Sequence, residues 1–144
     1  MLKYDSMKAM GIDFGLRRIG VAFSDETKFL ASPYEVYVRQ GDAQDIQHFV
    51  DLVEKNKVDE IVCGLPMNMQ GEEQEIAVET RAFMDELQAK LAVKISFVDE
   101  RLSSAMAEDV LKQTERDWKK RKQKLDAVAA SIILQDYLDN IRRY

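Results

Sequence analysis

A carboxylate inside an apolar run constrains this chain more than any other feature of it. Met7 to Phe14 is largely apolar, yet it carries Asp13 between Ile12 and Phe14. A Gly15-Leu16-Arg17 bend follows, and Arg18 to Ser24 continues as a second extended apolar segment. The pair reads as a β-hairpin with a tight, glycine-assisted bend. An unpaired carboxylate near the end of such a strand is costly to desolvate. Either a cation or metal ion stands near Asp13, or Asp13 caps the turn at Gly15. Gly11, Gly15 and Gly20 allow close backbone approach, to a phosphate or to another strand.

The remaining segments build an α/β domain around this hairpin. Tyr34 to Val38 alternates apolar and polar residues after Pro33 and reads as a third strand. Asp42 to Asn56 places Ile46, Phe49, Val50 and Val53 at the spacing of an amphipathic helix. Glu60 to Cys63 is a short buried strand ending at Gly64-Leu65-Pro66, where Pro66 stops regular structure. Glu72 to Leu91 reads as a second helix and Val93 to Val98 as a fifth strand. Ser103 or Ser104 can cap a third helix running to about Gln113, and Lys119 to about Ile141 holds the last. The order β-β-β-α-β-α-β-α-α implies a five-stranded mixed sheet, its first three strands antiparallel, flanked by helices on both faces. One domain spans residues 1–144, with residues 1–6 as an N-terminal extension. Ligands of such sheets sit at the carboxyl ends of the parallel strands.

Composition excludes several classes. Apolar residues make up 46% and charged residues 33%, as in ordinary globular proteins. No apolar run approaches the roughly 20 residues a membrane span needs. Met1 to Ser6 lacks a signal-peptide core, so the expected location is the cytoplasm, with no membrane partner. One cysteine and one histidine exclude an internal disulfide and a zinc site built on several such ligands. Cys63, beside Ile61 and Val62, reads as a buried apolar side chain, and His48 as a partly exposed helix residue. The net charge of −5 speaks against nucleic-acid binding, but its distribution does not. Between Lys112 and Lys124 seven basic residues face two acids, Glu115 and Asp117. That stretch is either a phosphate-binding stripe or a solvated basic loop.

Two further acids join Asp13 as candidates. Glu100 follows Asp99 at the end of the fifth strand; an ion pair of either residue with Arg101 is the plainer reading. Asp126 lies on the last helix among Leu125, Val128, Ala129 and Ala130, where small residues let a helix pack closely on a sheet. It either faces the sheet or stands in solvent near the positive helix start. Asp13, Glu100 and Asp126 share one explanation as catalytic metal ligands. Mg²⁺ (or Mn²⁺) is held by carboxylates and water, and two such ions about 4 Å apart can activate water and stabilise a phosphodiester leaving oxygen.

Four segments, in order, resemble a known family. Gly11-Ile12-Asp13-Phe14-Gly15-Leu16-Arg17-Arg18-Ile19-Gly20-Val21-Ala22 resembles the first-hairpin motif of the YqgF/RuvX family. Gly64-Leu65-Pro66-Met67-Asn68-Met69-Gln70-Gly71 is similar to its second motif, and Asp99-Glu100-Arg101-Leu102-Ser103-Ser104 to its third. Lys122 through Asp126 to Ala130, with Ile133-Leu134-Gln135, resembles its fourth. The resemblance implies an RNase H-like fold related to RuvC-type Holliday junction resolvases. It implies a nuclease maturing the 5′ end of precursor 16S rRNA, in the cytoplasm and on ribosomal precursor particles. It maps the family's three site acids onto Asp13, Glu100 and Asp126. Gln70 and Glu72 depart from the Asp and Thr the family often carries, and Ser103-Ser104 from its common Thr pair; these changes fall in loops and concern substrate contacts.

Other residues take roles around that site. Arg17, Arg18 and Arg101 are expected to contact phosphates flanking the cut, or else to be solvated or paired with Asp99. Asn68 hydrogen-bonds either substrate or its own turn. Lys119, Lys120, Arg121 and Lys122 would clamp the backbone, ordering on binding, and Trp118 either stacks on a base or anchors a loop. Four other readings compete. Resolution of four-way DNA junctions needs two sites and so a homodimer rather than a monomer. A non-catalytic ribosomal RNA-binding module would not depend on Asp13. The first hairpin also resembles the phosphate loop of actin-like and sugar kinases, which use a second such domain that 144 residues do not accommodate. Asp13-Phe14-Gly15 also matches the protein-kinase metal tripeptide, without the glycine-rich loop and lysine strand of that class.

Overall fold

The computed structural model describes residues 7–68, 70–73, 75–99 and 103–142. The described elements run β1 (Lys8–Phe14), β2 (Arg18–Ser24), β3 (Ala31–Val38), α1 (Asp42–Asn56), β4 (Val58–Leu65), α2 (Glu75–Lys90), β5 (Lys94–Asp99), α3 (Ser103–Thr114) and α4 (Trp118–Arg142). The five strands form one sheet in the order β3-β2-β1-β4-β5. β1, β2 and β3 pair antiparallel, whereas β1-β4 and β4-β5 pair parallel. The expected mixed sheet with helices on both faces is therefore present.

Strand alternation divides the core into two layers. Met10, Ile12 and Phe14 of β1, with Ile19, Val21 and Phe23 of β2, pack under α1 and α2, around Phe49, Phe83 and Leu87. Ala9, Ala22 and Val62 turn to the other face and meet Ala130, Ile133, Leu134 and Leu138 of α4. α3 does not lie on the sheet. It packs against α4 through Ala107, Leu111, Val128 and Ala129. By the same alternation Asp13 and Arg18 belong to the α4 face.

Several boundaries differ from the sequence expectation, each for a local reason. β3 begins at Ala31 and runs through Pro33. It is an edge strand, where a missing N–H is tolerated. The register shifts there, between Val21 and Ala22, so that Tyr34 is left over between Glu35 and Pro33. β4 continues through Gly64 and Leu65 because both still pair with β5, at Val98 and Asp99. α2 starts at Glu75 rather than Glu72. The Glu72 N–H donates to Asn68 Oδ1 and its carbonyl accepts from the Asn68 N–H, and Glu73 bridges back to Met67. This backbone is spent on a turn. α4 starts at Trp118 because the Asp117 carboxylate accepts the Lys119 N–H at 2.9 Å, as an N-cap does. The basic stretch from Lys119 to Lys124 is thus helical, not a loop.

Candidate active site and nucleic-acid interface

The site is built where α4 is pressed onto the hairpin. Asp13 is the register partner of Gly20. A Cβ on Gly20 would stand 1.9 Å from the Asp126 carbonyl oxygen, and one on Gly11 2.7 Å from that of Ala130. No side chain fits at either position. The close approach expected at these glycines is therefore made by a helix backbone rather than by a strand or a phosphate. The consequence is that Asp126, remote in sequence, is seated over the strand pair that carries Asp13.

Asp13 and Asp126 wall the same cavity of about 480 Å³, together with Gly15, Arg17, Arg18 and Ile76. Arg18 Nε donates to Asp126 Oδ2 at 3.0 Å, across side chains that are 50% and 25% exposed. Asp126 therefore faces the sheet. The parallel strands β1, β4 and β5 end at the same side, with Leu65 opposite Asp99. Glu100 and Arg101 lie outside the described residues. Among the described residues, no three His, Cys, Asp or Glu side chains gather as a metal cluster. Asp13 and Asp126 supply two hard oxygen donors on one cavity.

A buried network holds the β1–β2 bend in place from behind. Arg39 donates from its backbone N–H to the Arg17 carbonyl and from Nη1 to the Leu16 carbonyl. Its guanidinium lies 4.9 Å from the Phe14 ring centroid and bridges to Asp42 and Asp45. Asp45 is fully buried and accepts from Arg39 Nε, Tyr37 Oη and the Gln40 N–H. Burial alone would raise its pKa, but these hydrogen bonds and the guanidinium outweigh it and hold the carboxyl below its ordinary value. Burial and the bond to Asp45 push the Tyr37 phenol up to about 12. Sequence reasoning missed this support: Arg39 and Asp45 match no motif, and they meet only once β3 and α1 are packed together.

The other candidates separate. Both polar atoms of the Asn68 side chain serve its own turn: Oδ1 accepts from the Gln70 and Glu72 N–H groups, and Nδ2 donates to Glu72 Oε1. Arg121 donates to the carbonyls of Glu115 and Arg116 and closes the α3–α4 corner. Lys119, Lys120 and Lys122 are exposed on the first turns of α4. Lys119 and Lys122 line a groove of about 490 Å³ with Arg18, Trp118, Val36 and Val38. Arg18 thus belongs to both the carboxylate cavity and the basic groove. The valines carry no chemical signature, and only strand pairing brings them there. His48 stacks on Tyr37 and meets Glu35 at 2.6 Å, away from the site, and Cys63 is buried.

Known proteins resemble this chain in sequence and in fold. A protein of Halothermothrix orenii named "Putative pre-16S rRNA nuclease" is 45% identical over 133 residues, 92% of this chain and 95% of its own. A Syntrophomonas wolfei protein of the same name is 42% identical over 92% of this chain and 94% of its own. Among solved structures, "T. thermophilus RuvC in complex with Holliday junction substrate" superposes with a TM-score of 0.64, covering 95% of this chain and 96% of that one at 12% identity. The fold is the RNase H-like fold of RuvC. Residues 7–140, from the start of the hairpin to the end of the helix that seats Asp126, match the family described as "RuvX: Holliday junction resolvase", and the chain belongs to that family.

Proposed function

We propose that the chain is a nuclease that hydrolyses phosphodiester bonds in structured nucleic acid with a divalent cation, Mg²⁺ or Mn²⁺, and that it acts in 5′-end maturation of precursor 16S rRNA. One observation carries the reading: Asp13 from β1 and Asp126 from α4 wall one cavity beside Arg17 and Arg18. Carboxylate oxygens are the donors a hard divalent ion takes, so the residues fit the ion. Asp13 and Asp126 would hold it, with Glu100 as third ligand. The choice of Glu100 rests on the resemblance of Asp99-Glu100-Arg101-Leu102-Ser103-Ser104 to the family's third motif. When bound, the ion supplies an activated water and neutralises charge at the leaving oxygen.

The protein's own residues bind and orient. Arg17 and Arg18 hold the phosphates on either side of the cut, with Arg101 as a third cation. Lys119, Lys120 and Lys122 continue the positive surface along α4. Arg121 contributes charge from the corner it braces, and the remaining amide hydrogen of Asn68 is available to substrate. The names of the relatives support precursor 16S rRNA as the substrate, which would place the protein on ribosomal precursor particles in the cytoplasm. No helix among the described residues is long and apolar enough to cross a membrane.

The family description favours a second reading, cleavage of four-way DNA junctions. That reaction needs two sites in register and hence a symmetric dimer. A cleavage panel separates the readings: precursor ribosomal RNA, plain RNA and junction DNA, each with wild type, Asp13→Asn and Asp126→Asn, with and without Mg²⁺. The nuclease reading expects cleavage that is lost in both variants and with EDTA. Cleavage that survives either substitution overturns the site, and rRNA binding without cleavage by the wild type leaves a binding module.

A further inference from the structure

We infer that the groove between β3 and the start of α4 is a subsite for one unpaired nucleotide adjacent to the cut, with Trp118 stacking on its base and Arg18 and Lys122 holding its phosphate. The inference rests on the nucleic-acid reading above and narrows it to substrates with a single-stranded nucleotide beside the scissile bond.

Trp118 begins α4, immediately after the capping Asp117, and its indole is 61% exposed. The cap does not require an aromatic residue at the next position, so the indole is unexplained by helix formation. Across from it, the edge strand presents Val36 and the exposed Val38. These valines stand beside Gly20 and Arg18 in the register of β2. The groove therefore has apolar walls and a cationic rim of Arg18, Lys119 and Lys122, and no carboxylate lines it among the described residues. On a chain with a net charge of −5, an acid-free groove with three cations selects a polyanion.

Its apolar walls select further. A phosphate alone would need only the rim. An indole beside aliphatic walls fits the face of a base, which is worth about 1–3 kcal/mol per stacked base and is available only when that base is unpaired. Lys119 Nζ lies 5.9 Å from the Trp118 ring centroid, at the outer limit of a cation–π contact, so a base can displace it at little cost. Continuity fixes where the nucleotide belongs. Arg18 lines this groove and also the cavity of Asp13 and Asp126, so one phosphate can be held at the junction of the two.

Trp118 is the only tryptophan of the chain, so its emission reports the indole, which also borders an adjoining pocket with Glu108, Leu111 and Leu125. The full-length protein in EDTA, which prevents cleavage, is titrated with an unstructured RNA of about eight nucleotides and with the same sequence as a blunt duplex. The expected result is saturable quenching by the single strand and little by the duplex. Trp118→Ala, followed by anisotropy of a labelled strand, should bind about 5- to 150-fold more weakly, with Trp118→Phe restoring most of the loss and circular dichroism unchanged. Single-strand binding without quenching, or equal affinity of Trp118→Ala, overturns the subsite. Quenching that survives Val38→Asp, an acid placed in the β3 groove, would put the base in the adjoining pocket and overturn the subsite as well. Quenching without any cleavage of the substrate panel would remove the nuclease reading and leave the subsite. Cleavage with no quenching would do the reverse.

Discussion

Arg18 Nε and Asp126 Oδ2 are 3.0 Å apart, joining two residues 108 positions apart in sequence across the mouth of the cavity that Asp13 also lines. A guanidinium therefore occupies the Asp126 carboxylate, one of the proposed ligands of the divalent ion. Its 50% exposure makes the pair weak enough to exchange, since exposed ion pairs are worth up to about 1 kcal/mol.

Removing that competitor should favour the cation and weaken the nucleic acid. In Arg18→Gln, Mn²⁺ affinity without nucleic acid is expected to rise by up to about fivefold by calorimetry. Oligonucleotide affinity should fall, and its dependence on log salt should flatten by about one. Unchanged Mn²⁺ binding would show that Arg18 does not compete for Asp126.

The seating of α4 makes Gly20 a site determinant although it carries no chemistry. In Gly20→Ala the new methyl would stand 1.9 Å from the Asp126 carbonyl, so the helix or the strand has to move. Overpacking of this kind costs about 1–3 kcal/mol. Urea denaturation should register that loss, and Mn²⁺ affinity should fall with both carboxylates intact. Wild-type stability in this variant would contradict the close contact.

Asp45 predicts an acid limb in the stability curve. Its folded pKa lies below the ordinary carboxylate value, so its contribution is complete above about pH 4 and is lost as the pH falls through the folded value. Asp45→Asn should flatten that limb in thermal melts taken from about pH 4 downward. Asp45→Ala, which leaves Arg39 with Asp42 alone and takes the acceptor from the Tyr37 hydroxyl and the Gln40 N–H, should cost about 1–3 kcal/mol at neutral pH.

Tyr37 and Lys28 shape the alkaline side. Burial first, then its hydrogen bond to Asp45, raises the Tyr37 phenol to about 12. Burial opposes the shift at Lys28, but its contacts with Asp59 and Glu60 outweigh it and raise that group as well. For both, the contribution to stability is present below the unfolded pKa, near 10, and is lost as the pH rises through the folded value. In a phenolate absorbance titration of the folded protein, one of the five tyrosines should titrate late. Tyr37→Phe should remove that phase.

Lys57 closes α1 in the left-handed conformation, with φ 54° and ψ 57°. A side chain costs about 1–2 kcal/mol there and glycine does not. Lys57→Gly should therefore raise the stability by up to about 1 kcal/mol in urea, without changing cleavage. Loss of stability would mean that the lysine side chain contributes more than the backbone strain it imposes.

Much of the architecture was legible from periodicity. α1 was bounded from Ile46, Phe49, Val50 and Val53 because an amphipathic helix repeats over many residues. Boundaries failed where a few specific bonds decide them. The Asn68 turn holds Glu72 and Glu73 out of α2, and the bulge at Tyr34 admits Pro33 into β3. The Asn68 turn is one of the two roles its sequence allows, whereas nothing in sequence marks the bonds by which Arg121 closes the α3–α4 corner.

Local order along the chain is enough to send Asp13 and Arg18 to one face and the large apolar residues of the hairpin to the other, because side-chain direction along a strand follows a two-residue period. The chain also carries glycine at positions 11 and 20. Which backbone fills those gaps follows from long-range packing alone. α4 lies there, and so Asp126 meets Arg18, Lys122 and Val36 line one groove, and two carboxylates share a cavity. Such contacts depend on packing between elements far apart in the chain, which no local pattern encodes.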